Sequence, residues 1–580
     1  MRPPLRPLAP FLVCTSLFAA EDPSAWVGTW RGDLDAGGLP IPTVFHLALE
    51  DGALGGTVDS PAQNVFGLEI TAVTFAEDGT ATVTIGAVGA RYVAKREDGA
   101  LVGTWAQRGV ELPLVCAREE AAEGTRVSGQ ERFVGSWEGR LDVGGQSLRL
   151  RFHLKEDAAG RLIGTMDSPD QGARDLPLTR VAAEPDGRLE VELKSAGVRF
   201  SGALEEGGER CAGEFRQGGL ELPLVLARID PPAPVRRPQT PKPPFPYGVE
   251  EVAYENEEAD VTIAGTLTVP EGDVPFPAAL LITGSGPQDR DETLFDHKPF
   301  LVLADHLTRR GVCVLRVDDR GVGGTSAGSP DATSEDLAGD VLAGVRFLRG
   351  RAEVDPARVG LVGHSEGGLI APMVAVRAPD EVAYLVLLAG PGVTGEEILL
   401  EQAALLTRAE GGDEESIAAN RRLQEVLFEV LKEHPDASRA DLTIRLRKAF
   451  AANEELLPEG ASADALIAQQ VQQLSSPWMR FFLTYDPRPT LASVRCPVLA
   501  VNGEKDLQVP SRLNLDAIGA ALREGGSDDV TLLELPSLNH LFQTCETGAF
   551  SEYDAIEETF AETALDRIAD WIVERFGEAG

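Results

Sequence analysis

Val359-Gly360-Leu361-Val362-Gly363-His364-Ser365-Glu366-Gly367-Gly368, running on into Leu369-Ile370-Ala371-Pro372-Met373-Val374-Ala375-Val376, joins a short apolar run to a helical pattern through a glycine-flanked serine. The G-x-S-x-G spacing has a physical reason. A serine on a sharp strand-to-helix turn needs a backbone with no side chains crowding it, hence glycine two residues before and two after. Its hydroxyl then projects above the strand at a helix N-terminus, where backbone N–H groups favour negative charge. In a chain with 61 glycines the pattern alone recurs by chance, so the assignment rests on the strand before it and the helix after it.

Runs of the same texture stand on either side: Ala278 to Thr283, Val312 to Val317, Leu385 to Leu388 and Val498 to Val501, alternating with helical patterns. Near-continuous apolar strands separated by helices predict a parallel α/β sheet covered on both faces. Between Gly395 and about Pro477 the strands stop. Leu423, Val426, Leu427, Val430 and Leu431 there recur at helical spacing. This helical insertion, about residues 395–477, is expected to cap one end of the strands.

A serine hydroxyl is a poor nucleophile at neutral pH and needs a base, with chain order serine, then acid, then histidine. Only His434 and His540 follow Ser365. His434 lies next to Pro435 in the helical insertion and reads as a solvated helix end. His540 sits in a loop after the apolar run Val530 to Leu535, from which imidazole can reach the strand tips. The orienting acid should follow an earlier strand, and Val498 to Val501 leads through Asn502-Gly503-Glu504-Lys505 to Asp506. Asp506 is the candidate, with Glu504 close enough to compete, whereas Asp516, Asp528 and Asp529 read as solvated. An oxyanion needs two backbone donors. The amide of Glu366, next after the serine, is one. The other is assigned to Ser285, in the glycine-rich turn Gly284-Ser285-Gly286-Pro287 that follows the first apolar run.

With these pieces placed, residues 247–580 resemble the α/β-hydrolase superfamily, specifically bacterial acyl esterases with a GHSEGG elbow that are related to the serine aminopeptidases. Gly284 to Asp291 looks like that group's oxyanion loop, and Asp318-Asp319-Arg320-Gly321-Val322-Gly323 looks like its next strand-end turn. The resemblance implies an α/β-hydrolase sheet with a helical cap and a catalytic Ser365, Asp506 and His540. Thr283 departs from it, standing where many relatives have histidine. Members with this elbow often carry a duplicated β region ahead of the hydrolase.

Such a region is present. Trp26-Val27-Gly28-Thr29-Trp30 aligns with Phe133-Val134-Gly135-Ser136-Trp137, and the match continues through His46 and His153 to Leu112-Pro113-Leu114 and Leu222-Pro223-Leu224. Two tandem all-β domains, 24–120 and 131–229, are expected, each an antiparallel barrel or sandwich of about eight short strands broken by glycine turns. The Gly-x-Trp of each first strand resembles that of lipocalin-type barrels. Trp30 and Trp137 read as core plugs, and His46 and His153, alternating with Phe45 and Phe152, as solvent-facing. Asp230 to Pro246 holds eight prolines in 17 residues and reads as a semi-rigid linker, 230–246.

Arg2 and Arg6 precede an apolar run from Leu8 to Ala20, and acidic Glu21-Asp22 follow, the order of a secretory signal peptide over 1–20. Export, to a periplasmic or extracellular location, is therefore expected. Five cysteines lie beyond it, without the spacing of a disulfide framework. No CxxC or HExxH pattern recommends a metal, and no cofactor is expected. Subtracting 92 acidic from 53 basic residues leaves a net charge of −39, which repels phosphate backbones, so nucleic acid is an unsuitable partner. No apolar run is long enough for a membrane span. Oligomeric state is not encoded in any pattern here.

The function expected from these residues is hydrolysis of small acyl esters through an acyl-enzyme, a serine carboxylesterase. A peptidase on the same scaffold is the second reading, for which Glu396, Glu397 and Glu401 are too ordinary to argue. A β-repeat binding protein with an inactive hydrolase domain is the third. Asp289, Arg290, Asp291 and Arg320 are expected to pair structurally around the strand ends. Trp478, Phe481 and Phe482 could line the acyl pocket or pack the cap onto the sheet.

Overall fold

In the computed structural model the described residues run from 23 to 577 with short breaks, the longest being 119–128 and 454–466. Residues 1–20, expected to be a signal peptide, lie outside them. The chain divides into two units, residues 1–123 and 124–580.

In the first unit, nine antiparallel strands between Gly28 and Arg118 form one sheet. Each pairs with its neighbour in sequence except the fourth and fifth, which do not pair, and the first, Gly28–Asp35, also pairs with the ninth, Val110–Arg118. The edges are therefore the fourth and fifth strands, Val65–Glu69 and Ala72–Phe75. Ile70 N–H donates to Gly56 O and Thr71 N–H to Thr84 O, so the residues joining these edge strands are tied to both flanks. One sheet curled until its edges nearly meet is a barrel, and the sandwich alternative does not hold. The ninth strand escaped the sequence reading because Ile70-Thr71 carries no turn residue.

The second copy, Gly135 to Ile229, repeats the order and the closure, with Leu178 N–H donating to Gly164 O and Thr179 N–H to Glu192 O. Trp30 and Trp137 fill the two interiors, and each indole N–H donates to a carbonyl four residues back, Trp26 O and Phe133 O. His46 and His153 face away from these cores but are not simply solvated. His46 bridges Thr29 and Asp59, and His153 bridges Ser136 at 2.8 Å and Asp167 at 2.9 Å, each clipping three adjacent strands.

The hydrolase sheet has eight strands: β1 Gly248–Asn256, β2 Val261–Val269, β3 Phe276–Ile282, β4 Cys313–Val317, β5 Val354–His364, β6 Tyr384–Leu388, β7 Val498–Gly503 and β8 Val530–Leu535. Their order is β1-β2-β4-β3-β5-β6-β7-β8. β1 and β2 are antiparallel to their neighbours and the other six strands run parallel. Apolar cores lie on both faces, which is why β3, β5, β6 and β7 read as unbroken apolar runs.

The insertion after β6 contains helices Gly395–Ala409, Glu414–Glu433, Arg439–Ala452 and Pro477–Thr484. Leu427, Leu431, Leu442, Leu446 and Phe450 form a core of its own. Full burial of each such side chain contributes about 1.5–3 kcal/mol, so the cap coheres without borrowing the sheet's core. Among the described residues no helix is long and apolar enough to cross a membrane, and no disulfide is formed.

The second barrel rests on the hydrolase. Arg149 donates to Ser551 O at 2.9 Å, and Arg151 is held by Glu138 while lying 3.7 Å from Asp554. The second half of the proline-rich segment, expected to be a semi-rigid linker, is bonded like a strap: Arg237 donates to the carbonyls of Phe295, Asp554 and Ile556, and Gln239 binds Thr559 and Phe560.

Candidate active site

The functional side chains emerge where the parallel strands end. β5 delivers Ser365, whose φ of 51° and ψ of −117° put a non-glycine residue in a left-handed conformation. Such a backbone costs on the order of 1–3 kcal/mol and persists only where the surroundings enforce it. They do so through close contact. A Cβ at Gly363 would fall 2.1 Å from Gly367 O, and one at Gly367 would fall 2.2 Å from Ile282 O. Helix Glu366–Arg377 thus starts immediately against β3, as the flanking glycines implied.

Asp506 follows β7 and is almost completely buried. Its Oδ1 accepts from the amides of Gln508 and Val509, which fixes the carboxylate, and its Oδ2 lies 2.8 Å from His540 Nδ1. A carboxylate accepts, so Nδ1 carries the proton and Nε2 is left as the basic nitrogen. Glu504, the competitor, instead accepts from Ser537 N–H in the loop leading to His540. Asp516 is exposed and Asp529 pairs with Arg575 at the surface. His434 caps the end of helix Glu414–Glu433 and accepts from Arg445.

His540 reaches the elbow through its backbone, its carbonyl accepting from His364 Nε2 at 3.0 Å, and the two imidazole rings lie 4.7 Å apart. The Ser365 hydroxyl and the imidazole are on adjoining loops and no hydrogen bond joins them here. Catalytic hydrogen bonds are often long in unliganded sites and tighten when substrate arrives.

In the turn after β3, Gly284 lies against Ser365, since a Cβ there would be 3.3 Å from Ser365 Cβ. Its amide is engaged, donating to Glu292 Oε1 at 2.8 Å. The amide of Ser285 comes next, while that of Glu366 opens the elbow helix. The Glu366 side chain has a separate task. It is buried, and its Oε1 accepts from Ser334 Oγ at 2.6 Å and from Trp478 Nε1 at 2.7 Å, fastening the cap to the elbow. Trp478 stacks on Phe482, and Phe481 and Phe482 pack against the sheet's core, so these aromatics join cap to sheet.

The charged residues at the strand ends pair with one another. Arg290 forks onto Asp318, Arg320 onto Asp340, and Asp291 lies between Arg316 and Lys298. Asp289 accepts from Thr293 and from the Asp291 amide. Asp319 differs. It accepts from Thr283 Oγ1 and the Gln288 amide, and burial, reinforced by the carboxylates of Glu292 and Glu366, pushes its carboxyl up to about 8. Thr283 is thereby occupied as a ligand of Asp319. Glu292, His364 and Asp319 escaped the sequence reading. His364 stood in view at the variable position of the elbow, whereas nothing local marks Glu292.

The alpha/beta hydrolase fold family matches residues 281–543. Esterase EstD of Thermotoga maritima is 28% identical over 327 residues, covering 55% of this chain and 68% of that protein. Among solved structures, the Pyrococcus furiosus esterase Pf2001 aligns over 57% of this chain and 94% of its own, with 14% identity and a TM-score of 0.35. The alpha/beta hydrolase GrgF from Penicillium sp. sh18 aligns over 57% and 100%, with 16% identity and a TM-score of 0.36. The C-terminal part of this chain thus has the alpha/beta hydrolase fold, matched by the family over residues 281–543, and is similar to an esterase of that fold.

Proposed function

We propose that the protein is an exported serine carboxylesterase acting on small acyl esters through an acyl-enzyme. Ser365 Oγ attacks the ester carbonyl while His540 Nε2 takes its proton, and Asp506 holds the imidazole tautomer and stabilises the imidazolium. The oxyanion rests on the amides of Ser285 and Glu366. His540 then gives the proton to the departing alcohol. Water, deprotonated by the same imidazole, attacks the acyl-enzyme and releases the acid.

The observation that carries this reading is the strained Ser365 elbow beside a loop in which His540 already has its orienting carboxylate at 2.8 Å. The test is a p-nitrophenyl acyl series run beside aminoacyl-nitroanilides, with Ser365→Ala as control. Ester turnover should fall in that variant by about a million-fold, as in other serine hydrolases. Turnover confined to the amides would assign a peptidase, and undiminished hydrolysis by the variant would remove Ser365 from the mechanism.

A further inference from the structure

Glu292 and His364 are both buried, and nothing in the proton-transfer chain uses them. Glu292 Oε1 nevertheless has two partners at 2.8 Å, the Gly284 amide of the oxyanion loop and His364 Nδ1 beside the nucleophile. The far nitrogen of that imidazole meets the His540 carbonyl. One carboxylate oxygen therefore ties together loops that follow β3, β5 and β8. Glu292 itself is held at φ 54°, a left-handed conformation that a glutamate adopts only under constraint.

The protons can be counted. A carbonyl only accepts, so His364 Nε2 carries hydrogen. A neutral imidazole would then turn a bare Nδ1 lone pair towards a carboxylate oxygen, which also only accepts. A further proton must therefore lie between Nδ1 and Oε1. Burial alone would push His364 down, but the adjacent Glu292 charge and the two hydrogen bonds outweigh it and raise it above the ordinary histidine value.

We propose that the Glu292–His364 pair positions the catalytic machinery, setting the depth of the oxyanion loop and of the His540 loop relative to Ser365. The inference rests on Ser365 and His540 reacting as proposed above. Neither residue of the pair touches substrate, so both are positioning residues. A misplacement of about 1 Å can lower turnover roughly 100-fold, which sets the scale of the expected effect.

Three variants separate the links. His364→Asn keeps a donor where Nδ1 stood but cannot reach the His540 carbonyl. His364→Gln reaches the carbonyl position and abandons Glu292. Glu292→Gln keeps an oxygen that can accept from Gly284 N–H but removes the charge that raises His364, so that a neutral imidazole with hydrogen on Nε2 turns a bare Nδ1 to that oxygen.

Each variant is first checked for folding by circular dichroism and thermal midpoint. Then kcat and KM are measured on a p-nitrophenyl ester, and the rate of Ser365 labelling by a fluorophosphonate is followed. The expected result is a fall of about 10-fold to 100-fold in kcat and in labelling rate for His364→Asn and Glu292→Gln, with KM within about twofold. A pair that only stabilises the fold would lower the thermal midpoint and leave labelling and kcat, measured well below it, within twofold of the parent. That result in any two folded variants overturns the proposal. Ser365→Ala run in parallel keeps the two hypotheses apart: loss of labelling there with unchanged rates in the pair variants sinks this inference alone, while persistent labelling sinks the serine mechanism itself.

Discussion

At the scale of single residues, Glu292, His364 and Asp319 are buried titratable groups close to the Ser365 turn. Asp319 has a testable consequence. With its carboxyl at about 8 in the folded protein and near the ordinary aspartate value when unfolded, the folded state holds a proton that the unfolded chain has released between about pH 4 and pH 8. The unfolded state binds fewer protons in that window, so stability falls as pH rises through it and levels off above it. Asp319→Asn removes this dependence. Thermal midpoints at pH 5 and pH 8 should differ less for the variant than for the parent, and an identical difference would show that Asp319 titrates normally. The tight turn at Ser365 was legible in the sequence because its glycines answer a local steric demand, and the pairing of His540 with Asp506 because each follows an apolar run. Glu292 was not, because its role depends on a bond across 72 residues that leaves no periodicity or spacing behind.

At the scale of elements, apolar texture announced the central strands, since burial on both faces leaves little room for polar side chains. The antiparallel β1 and β2 went unread, for the alternation in their burial blurs that signal, whereas β8 was read as the apolar run Val530 to Leu535. The barrels were legible from their turns, but closure depends on two backbone hydrogen bonds at a turnless join. The cap is the element whose attachment can be measured most directly. Trp478→Phe keeps the stack on Phe482 while removing the N–H that Glu366 receives. A hydrogen bond to a charged group is worth about 1.5–3 kcal/mol, so the cap should detach more readily. Limited proteolysis within 395–477 should accelerate by about 10-fold or more, and an unchanged cleavage rate would mean that the aromatic stack alone holds it.

At the scale of the molecule, the hydrolase is wrapped by sequence that composition marked as linker. Prolines keep a segment out of regular elements, yet Arg237 and Gln239 show that its second half is still bonded to the residues around it. Its guanidinium gathers carbonyls from Phe295, on the oxyanion-loop side, and from Asp554 and Ile556. Arg237→Ala should lower the calorimetric midpoint of the hydrolase transition by a few degrees, on the order of 3 kcal/mol for several charge-assisted bonds lost together. A midpoint within one degree or so of the parent would reduce the strap to a passive connector.

In each barrel the first and last strands lie side by side, Gly28–Asp35 against Val110–Arg118 and Gly135–Val143 against Leu220–Ile229. The polypeptide therefore leaves each barrel beside the place where it came in. A module whose ends meet can be inserted into a chain, or excised from it, at a single point. The residues that seat the second barrel, Glu138, Arg149 and Arg151, are matched by Arg31, Pro42 and Val44 in the first, so the contacts of the second copy with Ser551 and Asp554 are not written into the repeat itself.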